Sequence, residues 1–143
     1  MREDQQNISD EPPVTGYLMI IRGTEWDQNI TGDELERLAE RTAEWFNGLL
    51  AARKVKGGSA LGLRGRVISG KARTVTDGPY AESKEVIGGY LLLDVATMEE
   101  AEEIARSSPG LDHGITIEVR PAMNECPVFK RARARMNLAT VGG

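Results

Sequence analysis

A chain of 143 residues, 40% hydrophobic and 28% charged, is long enough for one domain around a single hydrophobic core. Its net charge of -4 and pI of about 5.1 set it apart from proteins whose basic surface holds nucleic acid. The single cysteine, Cys126, excludes an intrachain disulfide framework and a multi-cysteine metal site, and no apolar run reaches membrane-spanning length.

Residues 1–14 lack periodicity, end near Pro12-Pro13 and carry no secretory-type apolar stretch, so they read as a mobile tail on a cytoplasmic protein. Tyr17 to Ile21 is a continuous apolar run that predicts the first strand, leaving at Arg22-Gly23. A loop from Thr24 to Thr31 holds Trp26 and Asp27. A helix is predicted from near Thr31, with Asp33 and Glu34 at its positive end and an apolar stripe of Leu35, Leu38, Ala39, Thr42, Trp45 or Phe46, and Leu49. Its pattern fades by Arg53. Val55 to Leu63 is broken by glycines and predicts a strand that is short, bulged or irregular.

Arg66-Val67-Ile68 and Arg73 to Thr76, on either side of Ser69 to Ala72, read as a hairpin. Tyr90 to Leu93 is apolar enough to be a strand buried on both faces. Thr97 with Glu100 is a capping box opening a second helix, with Met98, Ala101, Ile104 and Ala105 as its stripe and Ser107 to Gly110 as its stop. Ile115, Ile117 and Val119 alternate with polar residues in a last strand ended by Pro121. The run Lys130 to Arg135 reads as a solvated tail or short surface helix, or as a contact for an anionic partner.

This order predicts an α+β architecture: an antiparallel sheet with two helices on one face. The Tyr17 and Tyr90 strands are apolar on both faces, so a second copy of the sheet is the expected cover for the other one, in a two-fold homodimer.

Between hairpin and strand lies the most specialised stretch, Asp77-Gly78-Pro79-Tyr80, then Glu82, Lys84, Glu85 and Gly88-Gly89. Pro79 fixes its own φ and biases Gly78 towards an extended conformation, which makes a stiff corner. The pattern D-G-P-[FY]-A-E-[ST]-K-E, followed by an x-G-G-[FY] strand, resembles the YCII-related family in its DGPF-motif branch. The likeness covers about residues 16–121, from the Y-L-M-I-I-R strand through the long helix, hairpin and short helix to a closing E-V-R-P. It implies a ferredoxin-like sandwich of the βαββαβ type over residues 15–122, paired into a dimeric α/β-barrel-like assembly, with 123–143 as a tail. It implies no particular reaction. Some relatives pair an early histidine with an aspartate for catalysis; here no histidine precedes His113, and that mechanism does not carry over.

The chemistry-bearing candidates follow. Asp77, opening a turn, accepts backbone N–H groups or serves as a general base or polar-substrate anchor beside Glu82, Lys84 and Glu85. Lys84 either fixes the loop through ion pairs or, if desolvated, acts as base or nucleophile. His113, next to Asp112, is a surface residue or a second acid/base. Asp77 and His113 are thus the catalytic candidates, and Arg22, Trp26, Gly78, Pro79, Tyr80, Glu82 and Lys84 the ligand-binding ones. No glycine-rich nucleotide loop or metal-ligand spacing is present, so neither cofactor nor metal is expected. The expected function is a small-molecule-binding homodimer with a cleft at the D-G-P-Y corner and no nucleic-acid or membrane partner. The alternatives are an isomerase, lyase or hydrolase using Asp77 or His113, and a regulatory protein-interaction module.

Overall fold

The computed structural model describes residues 13–79 and 85–140, with backbone alone at 137–140. Strand β1 (Val14–Arg22) is the spine. Alternation along it sends Tyr17, Met19 and Ile21 to one face and Leu18, Ile20 and Arg22 to the other. β5 (Ile87–Leu93) pairs antiparallel on one side, β6 (Thr116–Met123) on the other, and β2 (Val55–Ala60) adds outside β5, giving the order β2-β5-β1-β6.

Helices α1 (Gly32–Ala51) and α2 (Met98–Arg106) lie on the Met19 face, as the sequence predicts. There Met19 and Leu93 are fully buried among Tyr17, Leu91, Ala101 and Ala105, with Trp45, Phe46 and Ile104 packed against them. Both predicted helix starts hold: the Thr31 hydroxyl accepts from the Glu34 N–H at 3.2 Å, and the Thr97 hydroxyl accepts from the Glu100 N–H at 3.2 Å. The result is a ferredoxin-like α+β arrangement with an antiparallel sheet, to which a third helix, α3 (Pro127–Thr140), is added.

The glycine-broken stretch forms a six-residue edge strand, β2, with its irregularity confined to a register shift between Val55 and Gly57. Gly58 explains why a glycine serves there. Its φ is 157°, and a Cβ would stand 2.5 Å from the Tyr90 carbonyl oxygen and 2.7 Å from Leu91 Cδ2.

β3 (Gly65–Ser69) and β4 (Thr74–Gly78) form a separate hairpin, turning through Gly70 (φ 77°) and Arg73 (φ 54°). Its register sets Arg66 opposite Asp77, Val67 opposite Thr76 and Ile68 opposite Val75. Gly78 is required by packing: Val67 Cγ2 lies 2.5 Å from where its Cβ would be. Gly78→Ala is therefore expected to push Val67 aside and lower hydrogen-exchange protection across the hairpin about tenfold or more, matching the ~1–3 kcal/mol of an overpacked site. Val67→Ala in the same chain is expected to restore it; unchanged protection in Gly78→Ala alone would count against the clash.

α3 is tied to the turn before it by Arg133, whose Nε and Nη2 donate to the two Glu125 carboxylate oxygens at 3.0 and 2.8 Å. Those hydrogen bonds, helped by the charges of Arg133 and Lys130, hold Glu125 below its ordinary value of 4.5. A carboxylate with a lowered native pKa contributes its tether fully above the ordinary value and loses it as pH falls through the native one. The Arg133 Nε–H resonance is accordingly expected to keep its bonded position at pH 4.5 and to move only in more acidic solution.

Candidate functional site

Beside the Gly78-Pro79 corner, the segment Gly62–Arg64, the start of β3 and the start of β5 enclose a hollow of about 320 Å³. Leu63, Val67, Val86 and Ile87 give it apolar walls; Arg64, Arg66 and Glu85 give it charge. An outer depression of about 520 Å³ shares Arg64, Gly65, Arg66 and Gly78 with it and adds Asp77. Gly78-Pro79 is a cis peptide.

Asp77 is strand-borne, cross-strand from Arg66, and pairs with it at 3.4 Å (Arg66 Nε to Oδ1). The pair is exposed, 72% for the arginine side chain and 94% for the aspartate, so it adds little stability and is available to a solute. Arg64 has no ion pair among the described residues. Two guanidinium groups, one tethered and one untethered, thus flank a partly apolar hollow, an arrangement suited to a small anion. Sequence reasoning passed over Arg64 and Arg66. Counting outward from the loop the hairpin adopts, Gly70–Arg73, sets Arg66 against Asp77, whereas the expected loop Ser69–Ala72 would have set it against Val75.

The other candidates lie elsewhere. Arg22, at the end of β1, is half-buried on the sheet face away from α1 and α2 and forms an ion pair with Glu118. Its Nε is buried without a hydrogen-bond partner among the described residues. Arg120 Nε stands 4.0 Å from the other Glu118 carboxylate oxygen. His113 closes a short 3-10 turn (Pro109–His113) and lines neither the hollow nor its outer depression. Its neighbour Asp112 is engaged by Arg41 of α1 at 2.9 Å. Tyr80, Glu82 and Lys84 lie outside the described residues.

Trp26 lines a different concavity. Between α1 and the end of β1 runs an apolar groove of about 590 Å³ walled by Ile21, Trp26, Leu35, Leu38, Trp45, Phe46 and Ile115. A continuation of about 480 Å³ shares Ile21, Thr42, Trp45 and Phe46 and reaches β2 and Leu91. The groove exists because α1 stands partly off the sheet: of its residues only Leu38 is buried. Trp45 still ties it to α2, its indole N–H donating to the Ser107 hydroxyl at 2.8 Å.

Among the described residues no group of three His, Cys, Asp or Glu side chains is placed to hold a metal ion, and no helix is long and apolar enough to cross a membrane. Cys126 is a free, exposed thiol.

The family model of the YCII-related domain matches residues 59–123, which run from the end of β2 through the hairpin, the Gly78-Pro79 corner, β5 and α2 to the end of β6. No curated protein matches the chain.

Proposed function

We propose that this chain, a DGPF-type variant of the YCII-related domain, is a cytoplasmic homodimer that binds a small anionic molecule in the hollow beside Gly78-Pro79. The observation that carries the ligand reading is the pairing of two arginines, Arg64 and Arg66, with apolar walls in one concavity. Asp77 holds Arg66 in place from the opposite strand, which makes it a positioning residue.

The dimer reading is supported by the sheet face turned away from α1 and α2. On it Leu18 and Leu92 are half-buried and Tyr90 is 37% exposed, while α3 keeps Val128 and Phe129 in solvent instead of laying them there. The hairpin adds the cross-strand pair Ile68 and Val75, 62% and 54% exposed, beside Leu63. A second copy covering these surfaces would also wall the hollow on its open side.

A panel of small carboxylates and phosphates screened by thermal shift tests the ligand reading. A bound anion at a hundred times its Kd is expected to add about 2.7 kcal/mol and raise the midpoint by several degrees. Arg66→Ala is expected to remove the shift and Asp77→Asn to shrink it, with the ligand-free midpoint nearly unchanged, because both side chains are exposed. If no anion shifts the wild-type midpoint, or if Arg66→Ala leaves the shift intact, the reading is lost. A product that forms in the same mixtures and disappears with Asp77→Asn would make the protein an enzyme.

A further inference from the structure

Helix α3 carries an exposed apolar stripe that no role described so far uses. Val128, Phe129, Ala132 and Met136 recur at helical spacing on one side, and Val128 and Phe129 are 70% and 67% exposed. Arg131 and Arg135 flank this stripe on one edge and Arg133 on the other, and the helix contains no acidic residue. Since the whole chain carries -4, everything outside α3 is more acidic than that figure. Acid lies on both α1 and α2; beside the groove, on α1, Glu34 and Glu36 flank Leu35 and Glu40 follows one turn on, while Arg41 is engaged by Asp112.

We infer that α3 of one copy docks along the apolar groove of a second copy. Phe129 and Val128 would meet Leu35, Trp26 and Phe46, with the helix's arginines over Glu34, Glu36 and Glu40. The fit is that of a helix's apolar stripe in a groove, with complementary charge at the rims. Leu35 is 43% exposed, so the acceptor surface is open.

Topology selects a second copy over the chain's own groove. Met123 at the end of β6 sits beside Val14, whereas the groove lies at the other end of the sheet, where Arg22 faces Thr116. That is roughly 25 Å away at about 3.3 Å per strand residue. The Glu125–Arg133 pair ties the first turns of α3 to its own root, and Val128 and Phe129 stay exposed, so the helix does not bury its stripe on its own sheet. Charge selects a protein groove over a polyanion, because a chain of net -4 is repelled by nucleic acid or an anionic bilayer, whereas the α1 rim attracts. The inference is independent of the ligand reading, and it uses the helix side of the sheet, leaving the opposite face for the proposed dimer.

Cys126, exposed and the only cysteine, stands at the root of α3 and takes a spin label. Spin-labelled, unlabelled-nitrogen protein mixed with ¹⁵N-labelled protein is expected to reduce the Trp26 and Trp45 indole N–H signals of the latter about twofold or more. Phe129→Asp in the spin-labelled copy is expected to restore them; α3 packs too little on its own chain for this change to unfold it. Glu34→Lys with Glu36→Lys in the ¹⁵N copy is expected to restore them too, and adding Arg131→Glu with Arg135→Glu to the spin-labelled copy to bring the loss back.

Full indole intensity in the wild-type mixture overturns the inference. So does a loss seen only when label and ¹⁵N share one chain, which would place α3 in its own groove, and so does a loss indifferent to Phe129→Asp. Retention on phosphatidylserine vesicles that Arg131→Glu with Arg135→Glu abolishes, with intact indole signals, would reassign α3 to a membrane surface.

Discussion

Leu93→Ala is expected to lower the unfolding free energy by about 2–5 kcal/mol, measured as a fall in the denaturant midpoint at unchanged slope. Leu93 is fully buried, pairs with Tyr17 on β1 and Val55 on β2, and packs in the cluster that includes Ala101 and Ala105 of α2. Because α1 stands partly off the sheet, this cluster between sheet and α2 carries most of the core. A cavity there has few neighbours free to close it, which places the cost towards the upper part of the range. Leu63, 60% exposed beside the hollow, is the control: Leu63→Ala is expected to stay within about 0.5 kcal/mol of wild type. Equal effects at the two positions would mean that the core lies elsewhere.

The second large effect concerns assembly. Tyr90→Asp is expected to convert the proposed dimer to a monomer, raising its dissociation constant about thirtyfold or more, the equivalent of losing a central contact of ~2 kcal/mol. Tyr90 lies between Ser59 on β2 and Ile20 on β1, on the face opposite the helices, and is 37% exposed within one chain. A carboxylate is therefore tolerated in a monomer, yet is an unpaired buried charge between two sheets. Sedimentation of both proteins at micromolar concentration decides the matter. A monomeric wild type removes the dimer from the proposal, and a dimeric Tyr90→Asp moves the interface to another surface, with the exposed hairpin pair Ile68 and Val75 the next to be substituted.

Much of the secondary structure was legible because the signals are local. Thr31 and Thr97 cap their helices with their own hydroxyls, three residues from the N–H they accept. Alternation at Ile115–Val119 fixes a strand by period alone. The regular course of β2 was less legible, because Gly57 and Gly58 weaken a strand by propensity while the neighbouring Tyr90 and Leu91 leave no room for a side chain at position 58. The candidate site was the least legible part. Asp77 acquires Arg66 only through hairpin register, and Trp26 turns towards α1, away from the Gly78-Pro79 corner, because the groove beside α1 is where its ring finds apolar company.

By itself the sequence determined the order of the elements, which helix stripes are apolar, where the chain stiffens at Pro79 and that a basic run lies at Lys130 to Arg135, because periodicity, capping and charge are properties of neighbours along the chain. Only the tertiary structure decided that Arg64 and Arg66 share a hollow, that α1 leaves a groove open along the sheet, and that α3 roots at the opposite end from it. Those are relations between residues distant in sequence, set by strand register and by how closely each layer packs, and no local pattern encodes them.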